Sequence, residues 1–270
     1  MKLFISSDIE GTCGITHWDE TDYERGGRWY DYFRGQMSRE VAAACEGAAK
    51  GGAEDILVKD AHETARNIIP TELPRGVRIG RGWSGSLFSM VDGLQEGFDA
   101  LAFTGYHSPA YGSGNPLAHT MNRTIDEILI NGVRTSEFLI FSYTAGALGI
   151  PVIFLSGDAA LCGFARSLIP GITTVPVNEG TGDSVVSIHP DEAITRIREN
   201  MCMAVQKAVR EPKYCAVSMP ETFDVRVRYS THQKAFCNSL YPGAKQTDEK
   251  TIRFSAKDYI EVLRFFKFVL

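Results

Sequence analysis

The chain has 270 residues, 44% hydrophobic and 23% charged, a balance that excludes intrinsic disorder and collagen-like repeats. Its 33 acidic and 28 basic side chains give a formal charge of −5, which argues against nucleic acid as the main partner. No run of about 18 apolar residues occurs, so no membrane-spanning helix is expected.

Lys2–Ser7 is a short apolar run ending in polar residues, as a buried strand reads. It resembles the start of a signal peptide for a few letters only, because Asp8 and Glu10 interrupt it. An Ala-rich helix is expected from Tyr30 to Lys50, stopped by Gly51-Gly52, with a second strand over Asp55–Lys59. Strand, helix and strand in succession make a βαβ unit and hence a parallel sheet. Ser86–Phe98 reads as helix and Ala100–Thr104 as strand. Ile125–Ile130 and Val133-Arg134 flank Asn131-Gly132, a pair that tolerates positive φ, so a tight hairpin is expected. Thr135 is placed to cap a helix that runs to Leu148 and ends at Gly149. Pro151–Leu155 reads as a strand and Asp158–Leu168 as a helix. Pro190, Asp191 and Glu192 suit the positive end of a helix reaching Arg210. Phe223–Tyr229 alternates like a half-exposed strand, and Thr251–Ala256 and Asp258–Val269 close the chain as strand and helix. The expected fold is α/β, with mixed, largely parallel sheets flanked by helices in two lobes. A catalytic lobe over 1–150 and a second over 151–270 are the expected division, or one compact domain, since no linker marks the boundary.

The six cysteines stand at 13, 45, 162, 202, 215 and 237, with no two three apart, so there is no CxxC zinc ribbon or redox pair. Reduced packing thiols in a cytoplasmic protein are expected, which leaves the Asn122-Arg123-Thr124 sequon without meaning. No Gly-rich phosphate loop with a following Lys and no G-x-S-x-G elbow is present, which argues against a nucleotide site and a serine hydrolase. His17, His189 and His232 read as structural or surface residues, and Trp18, Trp29 and Trp83 as packing or interface residues.

Metal-type ligands gather just after the apolar strands. In Asp8-Ile9-Glu10 the two carboxylates are two residues apart and share one face of an extended segment. They suit a divalent cation, or an acidic loop that caps a helix. Asp60-Ala61-His62 and His107 follow two further strands, at the carboxyl ends where open α/β sheets place their sites. His119 lies in a Gly- and Pro-containing loop, as an acid/base imidazole or a loop anchor. Glu137 stands in the first turn of a helix, as a ligand or as part of a cap. Asp8, Glu10, His62, His107 and Glu137 together form a thiolate-free set suited to Zn²⁺, Mn²⁺ or Co²⁺. Five ligands exceed the needs of one catalytic zinc and fit two ions about 3.5–4 Å apart, a centre that lowers the pKa of a bridging water and suits amide or ester hydrolysis.

Ser7-Asp8-Ile9-Glu10-Gly11-Thr12-Cys13-Gly14 resembles the SDxEGxxG signature of the zinc-dependent D-aminopeptidases, peptidase family M55. Asp60-Ala61-His62, Gly105-Tyr106-His107, Ala118-His119-Thr120-Met121 and Glu137 follow in that family's order. The resemblance implies an α/β metallopeptidase with two zinc ions per subunit. In it Asp8 bridges the ions, Glu10 and His62 complete one shell, and His107 and Glu137 the other. His119 corresponds to the family's catalytic histidine, described as a nucleophile; an acid/base role fits its chemistry better, because metal-activated water is already a good nucleophile. The implied substrates are short peptides with an N-terminal D-residue, such as D-Ala-D-Ala, and the implied assembly is a homodecamer. Lys59, Glu63 and the Thr12-Cys13 pair depart from the family pattern. The two charges are expected to alter the pocket mouth and the preferred substrate, and Cys13 to pack rather than coordinate. Two other readings share the site: a different dinuclear-metal amidohydrolase or esterase, and a non-catalytic metal-binding assembly protein. The mark of the last would be a site with no adjacent pocket.

Overall fold

A computed structural model describes residues 1–270. Its strands are β1 (Lys2–Ser7), β2 (Asp55–Asp60), β3 (Arg78–Gly80), β4 (Ala100–Tyr106), β5 (Ile125–Ile130), β6 (Val133–Arg134), β7 (Val152–Asp158), β8 (Thr173–Thr181), β9 (Ser184–Ser187), β10 (Phe223–Tyr229), β11 (Lys245–Gln246) and β12 (Thr251–Ala256). Its helices are α1 (Gly27–Gly51), α2 (Glu137–Ala147), α3 (Ala159–Leu168), α4 (Pro190–Arg210), α5 (His232–Asn238) and α6 (Tyr259–Val269).

Seven strands form one sheet in the order β3-β2-β1-β4-β7-β8-β9, parallel except for the β8–β9 edge pair. Its central strands are apolar on both faces: Leu3, Phe4 and Ile5 of β1, Ala100–Phe103 of β4 and Val152–Leu155 of β7 are all fully buried. That pattern suits a parallel sheet covered by helices on both sides. Five strands form a second, antiparallel sheet in the order β11-β12-β10-β5-β6. There β10 alternates buried Val225, Val227 and Tyr229 with exposed Arg226 and Arg228, as a sheet with one wet face does. The long helices α1 and α4 lie together, tied by the ion pairs Arg39–Asp191 and Arg198–Glu46.

The structure is α/β with a largely parallel sheet, as expected, but the two sheets do not divide at residue 150. Strands 152–187 join the first sheet and strands 125–134 the second, because hydrogen-bond partners rather than chain order set membership. One continuous apolar core spans both sheets.

Other expectations are corrected locally. Ser86–Phe98 is not a helix but two short 3-10 turns, Ser89–Val91 and Leu94–Glu96, separated by the left-handed Gly93; Asp92 accepts the Ser84 and Ser86 hydroxyls instead of continuing a helix. The cap of α2 is Ser136, whose hydroxyl accepts from Leu139 N, while Thr135 turns its hydroxyl to Val133 O. The β8–β9 pair was not legible, since Pro176, Asn178 and Gly180 break its apolar run and pairing with β7 supplies the missing preference.

Candidate active site

The register of the parallel sheet brings the carboxyl ends of β1, β2 and β4 level: Ser7 lies opposite Asp60 on one side and Thr104 on the other. The residues after these ends therefore converge at one edge of the sheet. Asp8 N donates to Thr104 O at 2.9 Å and Gly11 N to Gly105 O at 2.8 Å, stitching the Asp8–Gly11 loop to β4. The two backbones touch: a Cβ on Gly11 would stand 2.0 Å from Tyr106 O, and one on Gly105 2.2 Å from Asp8 O. Gly105 also has φ +68°, so no larger residue fits there without displacing Asp8.

Six of the side chains singled out from the sequence meet. His62 Nδ1 lies 3.3 Å from Asp8 Oδ1 and 3.1 Å from Glu10 Oε2. His107 Nε2 lies 3.5 Å from Asp8 Oδ2 and 3.0 Å from Glu137 Oε2. The two oxygens of Asp8 thus face different imidazoles. His119 Nε2 approaches Glu10 Oε1 at 3.9 Å and Glu137 Oε1 at 3.8 Å, and its ring stacks on that of His107 with centroids 4.4 Å apart. Ligand atoms of Asp8, Glu10 and His62 lie within 4.8 Å of one another, as do those of Asp8, His107 and Glu137 and those of Glu10, His107 and His119. Glu137 starts α2, yet its side chain does not cap; it turns into the cluster and accepts Met121 N at 2.6 Å.

Backbone carbonyls orient all three rings. His62 Nε2 donates to Thr21 O, His107 Nδ1 to Ser108 O and His119 Nδ1 to Leu117 O, at 2.9–3.0 Å. Each ring therefore turns its other nitrogen toward the carboxylates, the orientation a metal-binding imidazole requires once that nitrogen is free of its proton. Beyond these short imidazole–carboxylate approaches, buried Glu10 Oε2, His107 Nε2 and Glu137 Oε2 make no well-directed hydrogen bond within the chain. Buried polar atoms are nearly always satisfied, so these three call for a ligand, and a dication among carboxylate and imidazole donors meets that need.

Electrostatics agree. Burial, then the charge of Glu10, raises the Asp8 carboxyl well above its ordinary range. Burial also acts against ionised Glu10, but the His62 imidazole outweighs it and holds Glu10 well below the usual value. Burial disfavours charged His62 and His107, yet Glu10 raises the first and Glu137 the second well above an ordinary imidazole. His119 moves the other way, lowered by burial and then by His107. Left to themselves the carboxylates hold protons on His62 and His107, a role that a cation takes over.

Two ligand-type residues stand outside the cluster. Asp60 accepts Asn67 N at 2.6 Å, Ile68 N at 2.8 Å and Asn67 Nδ2 at 2.9 Å, so it shapes the loop after His62. Cys13 donates its thiol to Ile188 O, and burial followed by Glu40 pushes its pKa up to about 12. It packs, as expected. Supporting residues were missed from sequence. Asp158, at the end of β7, accepts Ser108 N and Oγ and so fixes the residue after His107. Asn178 donates to Gly11 O and Thr12 O, and Glu40 accepts Cys13 N, so both clamp the loop that carries Asp8 and Glu10. Asp158 carried the positional signal of a strand end; Asn178 and Glu40 carried none.

The cluster floors a cavity of about 530 Å³. Trp18 and Trp83 line it, which corrects their reading as packing or interface residues, and Trp18 packs edge-on against His119 at 5.2 Å. Of the two charges expected at the mouth, Glu63 lines the cavity, whereas Lys59 is buried, donates to Asp60 O and Gly82 O, and props the Trp83 ring.

Residues 1–268 match the sequence profile of the Peptidase M55 family, described as D-aminopeptidase. A D-aminopeptidase of Bacillus subtilis (strain 168) is 30% identical over 266 residues, covering 97% of this chain and 93% of the relative. The structure superposes with a TM-score of 0.90 on DppA from Bacillus subtilis, a Zn-dependent D-aminopeptidase described as a self-compartmentalizing protease; identity is 26%, and the match covers 100% of this chain and 96% of that one.

Proposed function

This chain belongs to the D-aminopeptidase family, peptidase family M55, and on that premise we propose that it is a zinc-dependent aminopeptidase. It removes the first residue of short peptides, with an N-terminal D-residue preferred, as in D-Ala-D-Ala. The carrying observation is the convergence of Asp8, Glu10, His62, His107 and Glu137, four of which line the floor of an open cavity with His107 buried against them, with buried ligand atoms left unpartnered. In this reading Asp8, Glu10 and His62 would hold one zinc ion and Asp8, His107 and Glu137 a second; Mn²⁺ or Co²⁺ would suit the same donors. Bound zinc supplies Lewis acidity to the scissile carbonyl and makes water at the site a nucleophile near neutral pH.

The chain's own residues do the rest. His119 has committed its Nδ1 proton to Leu117 O, so Nε2 is its free acceptor beside the carboxylates. It takes a proton from the attacking water and returns it to the departing amine. Trp18 covers one edge of that ring and limits its contact with bulk water. The cavity beside the cluster supports catalysis over a purely structural metal centre.

The relative's self-compartmentalizing character, together with exposed Tyr23, Trp29 and Tyr32, supports assembly with further copies of this chain, a decamer in the family manner. No helix is long and apolar enough to cross a membrane.

The test is turnover by zinc-loaded protein on D-Ala-D-Ala, L-Ala-L-Ala and simple amides and esters. Release of D-Ala, with slower cleavage of the L-dipeptide, is expected. Cleavage of amides or esters with neither dipeptide touched would assign the site to a different hydrolase.

A further inference from the structure

Among the residues lining the cavity, Arg123 and Lys267 are its sole Lys or Arg side chains. Half of the arginines hold a carboxylate; Arg134 pairs with Glu127, Arg196 with Glu192, Arg198 with Glu46 and Arg253 with Asp224. Arg123 and Lys267 pair with no carboxylate of the chain, the C-terminal one included, and their side chains donate no hydrogen bond within it.

Their placement is nonetheless built. The Arg123 guanidinium lies 4.6 Å from the centre of the Trp18 ring, and Trp18 packs 5.2 Å from His119. Lys267 arrives from the far end of the sequence on α6. Asn122 Nδ2 donates to Leu270 O at 2.9 Å, which fastens the loop carrying His119 and Arg123 to the end of that helix. The Asn122 carboxamide oxygen in turn accepts Thr124 N and Oγ1, so the loop turns sharply at Arg123. Two unpaired cations thus stand at the rim of a cavity whose floor carries the reaction.

An aminopeptidase substrate is cut after its first residue, and a short one ends in a carboxylate soon afterwards. Each extended residue spans about 3.3–3.6 Å. The two ring contacts keep Arg123 within the reach of three such residues from His119. A guanidinium binds a carboxylate through paired donors, and an ammonium adds a point charge. We propose that Arg123 and Lys267 bind the free C-terminal carboxylate of a two- or three-residue peptide and so restrict the enzyme to short peptide acids. This rests on the aminopeptidase reading above and adds to it the group that measures substrate length.

The experiment compares D-Ala-D-Ala with its C-terminal amide on zinc-loaded protein. Charge-assisted hydrogen bonds of this kind correspond to about 10- to 100-fold in affinity. Wild type is expected to favour the acid by that factor, chiefly through KM. Arg123→Gln and Lys267→Gln should each lower the acid-over-amide ratio about tenfold, and Arg123→Lys should restore part of it. The ratio is internal to each preparation, so partial unfolding of a variant does not mimic the result. Equal use of acid and amide by wild type, or an unchanged ratio in both Gln variants, overturns the carboxylate assignment and leaves the aminopeptidase reading standing. Cleavage of neither peptide overturns that reading and, with it, this one.

Discussion

At the metal-type cluster, each of three imidazoles hands one ring proton to a backbone carbonyl, and Asp8 and Glu10 sit on a loop clamped by further hydrogen bonds. At the rim, Arg123 and Lys267 are exposed, unpaired and held by one aromatic face or by none. The floor has its geometry set before any ligand arrives, as metal binding and proton transfer require. The rim keeps its charges free, as recognition of a variable, soluble ligand allows. The contrast separates residues whose loss stops the chemistry from residues whose loss changes what is accepted.

The strongest way to break the contrast is at its centre. Asp8→Ala removes the one side chain that faces both His62 and His107, so under the proposed two-zinc site both ions should leave together and turnover should fall by about 10⁴-fold. Elemental analysis that still finds two ions per subunit would show that Asp8 is not shared. His119→Ala should cut turnover by about 10²- to 10⁴-fold while zinc content stays unchanged. Near-normal activity in that variant would remove the proton-transfer role and place His119 with the scaffold.

A smaller effect sharpens the view of the floor as a rigid support. Glu40 is buried beneath it, accepting Cys13 N and Gln36 Nε2 at 3.0 Å, and burial raises its pKa to about 7. The folded state therefore keeps a proton there that the unfolded chain has released. Stability from this group is full below the ordinary carboxylate pKa and declines as pH rises toward 7. Glu40→Gln keeps an acceptor oxygen and cannot ionise. Between pH 5 and 8 wild type should lose roughly 2.5 kcal/mol relative to the variant in denaturant unfolding. Parallel profiles for the two proteins would show that Glu40 does not titrate in this window.

The expected strands over Lys2–Ser7, Ile125–Ile130, Phe223–Tyr229 and Thr251–Ala256 have the observed bounds, because apolar patterning and turn residues act over a few neighbours. The same rule overreached at Ser86–Phe98, where hydroxyl–carboxylate bonds and Gly93 won over helical spacing. Asp8, Glu10, His62 and His107 were legible because each follows a strand end. That signal also raised Asp60, whose carboxylate instead serves three donors of its own loop. For His119 and Glu137 the residues alone left alternatives open, which the resemblance narrowed.

By itself the sequence determined what depends on neighbours along the chain: the strands, the caps and turns, and the kinds of donor gathered at strand ends. The tertiary structure alone decided which oxygen of Asp8 faces which imidazole, that Asn178 and Glu40 brace the loop beneath, and that Lys267 lines the same cavity as Arg123. These relations are set by sheet register and by single long-range hydrogen bonds such as Asn122 to Leu270, which join residues 148 positions apart. Their free energy comes from packing the whole core, so no local window of residues carries it.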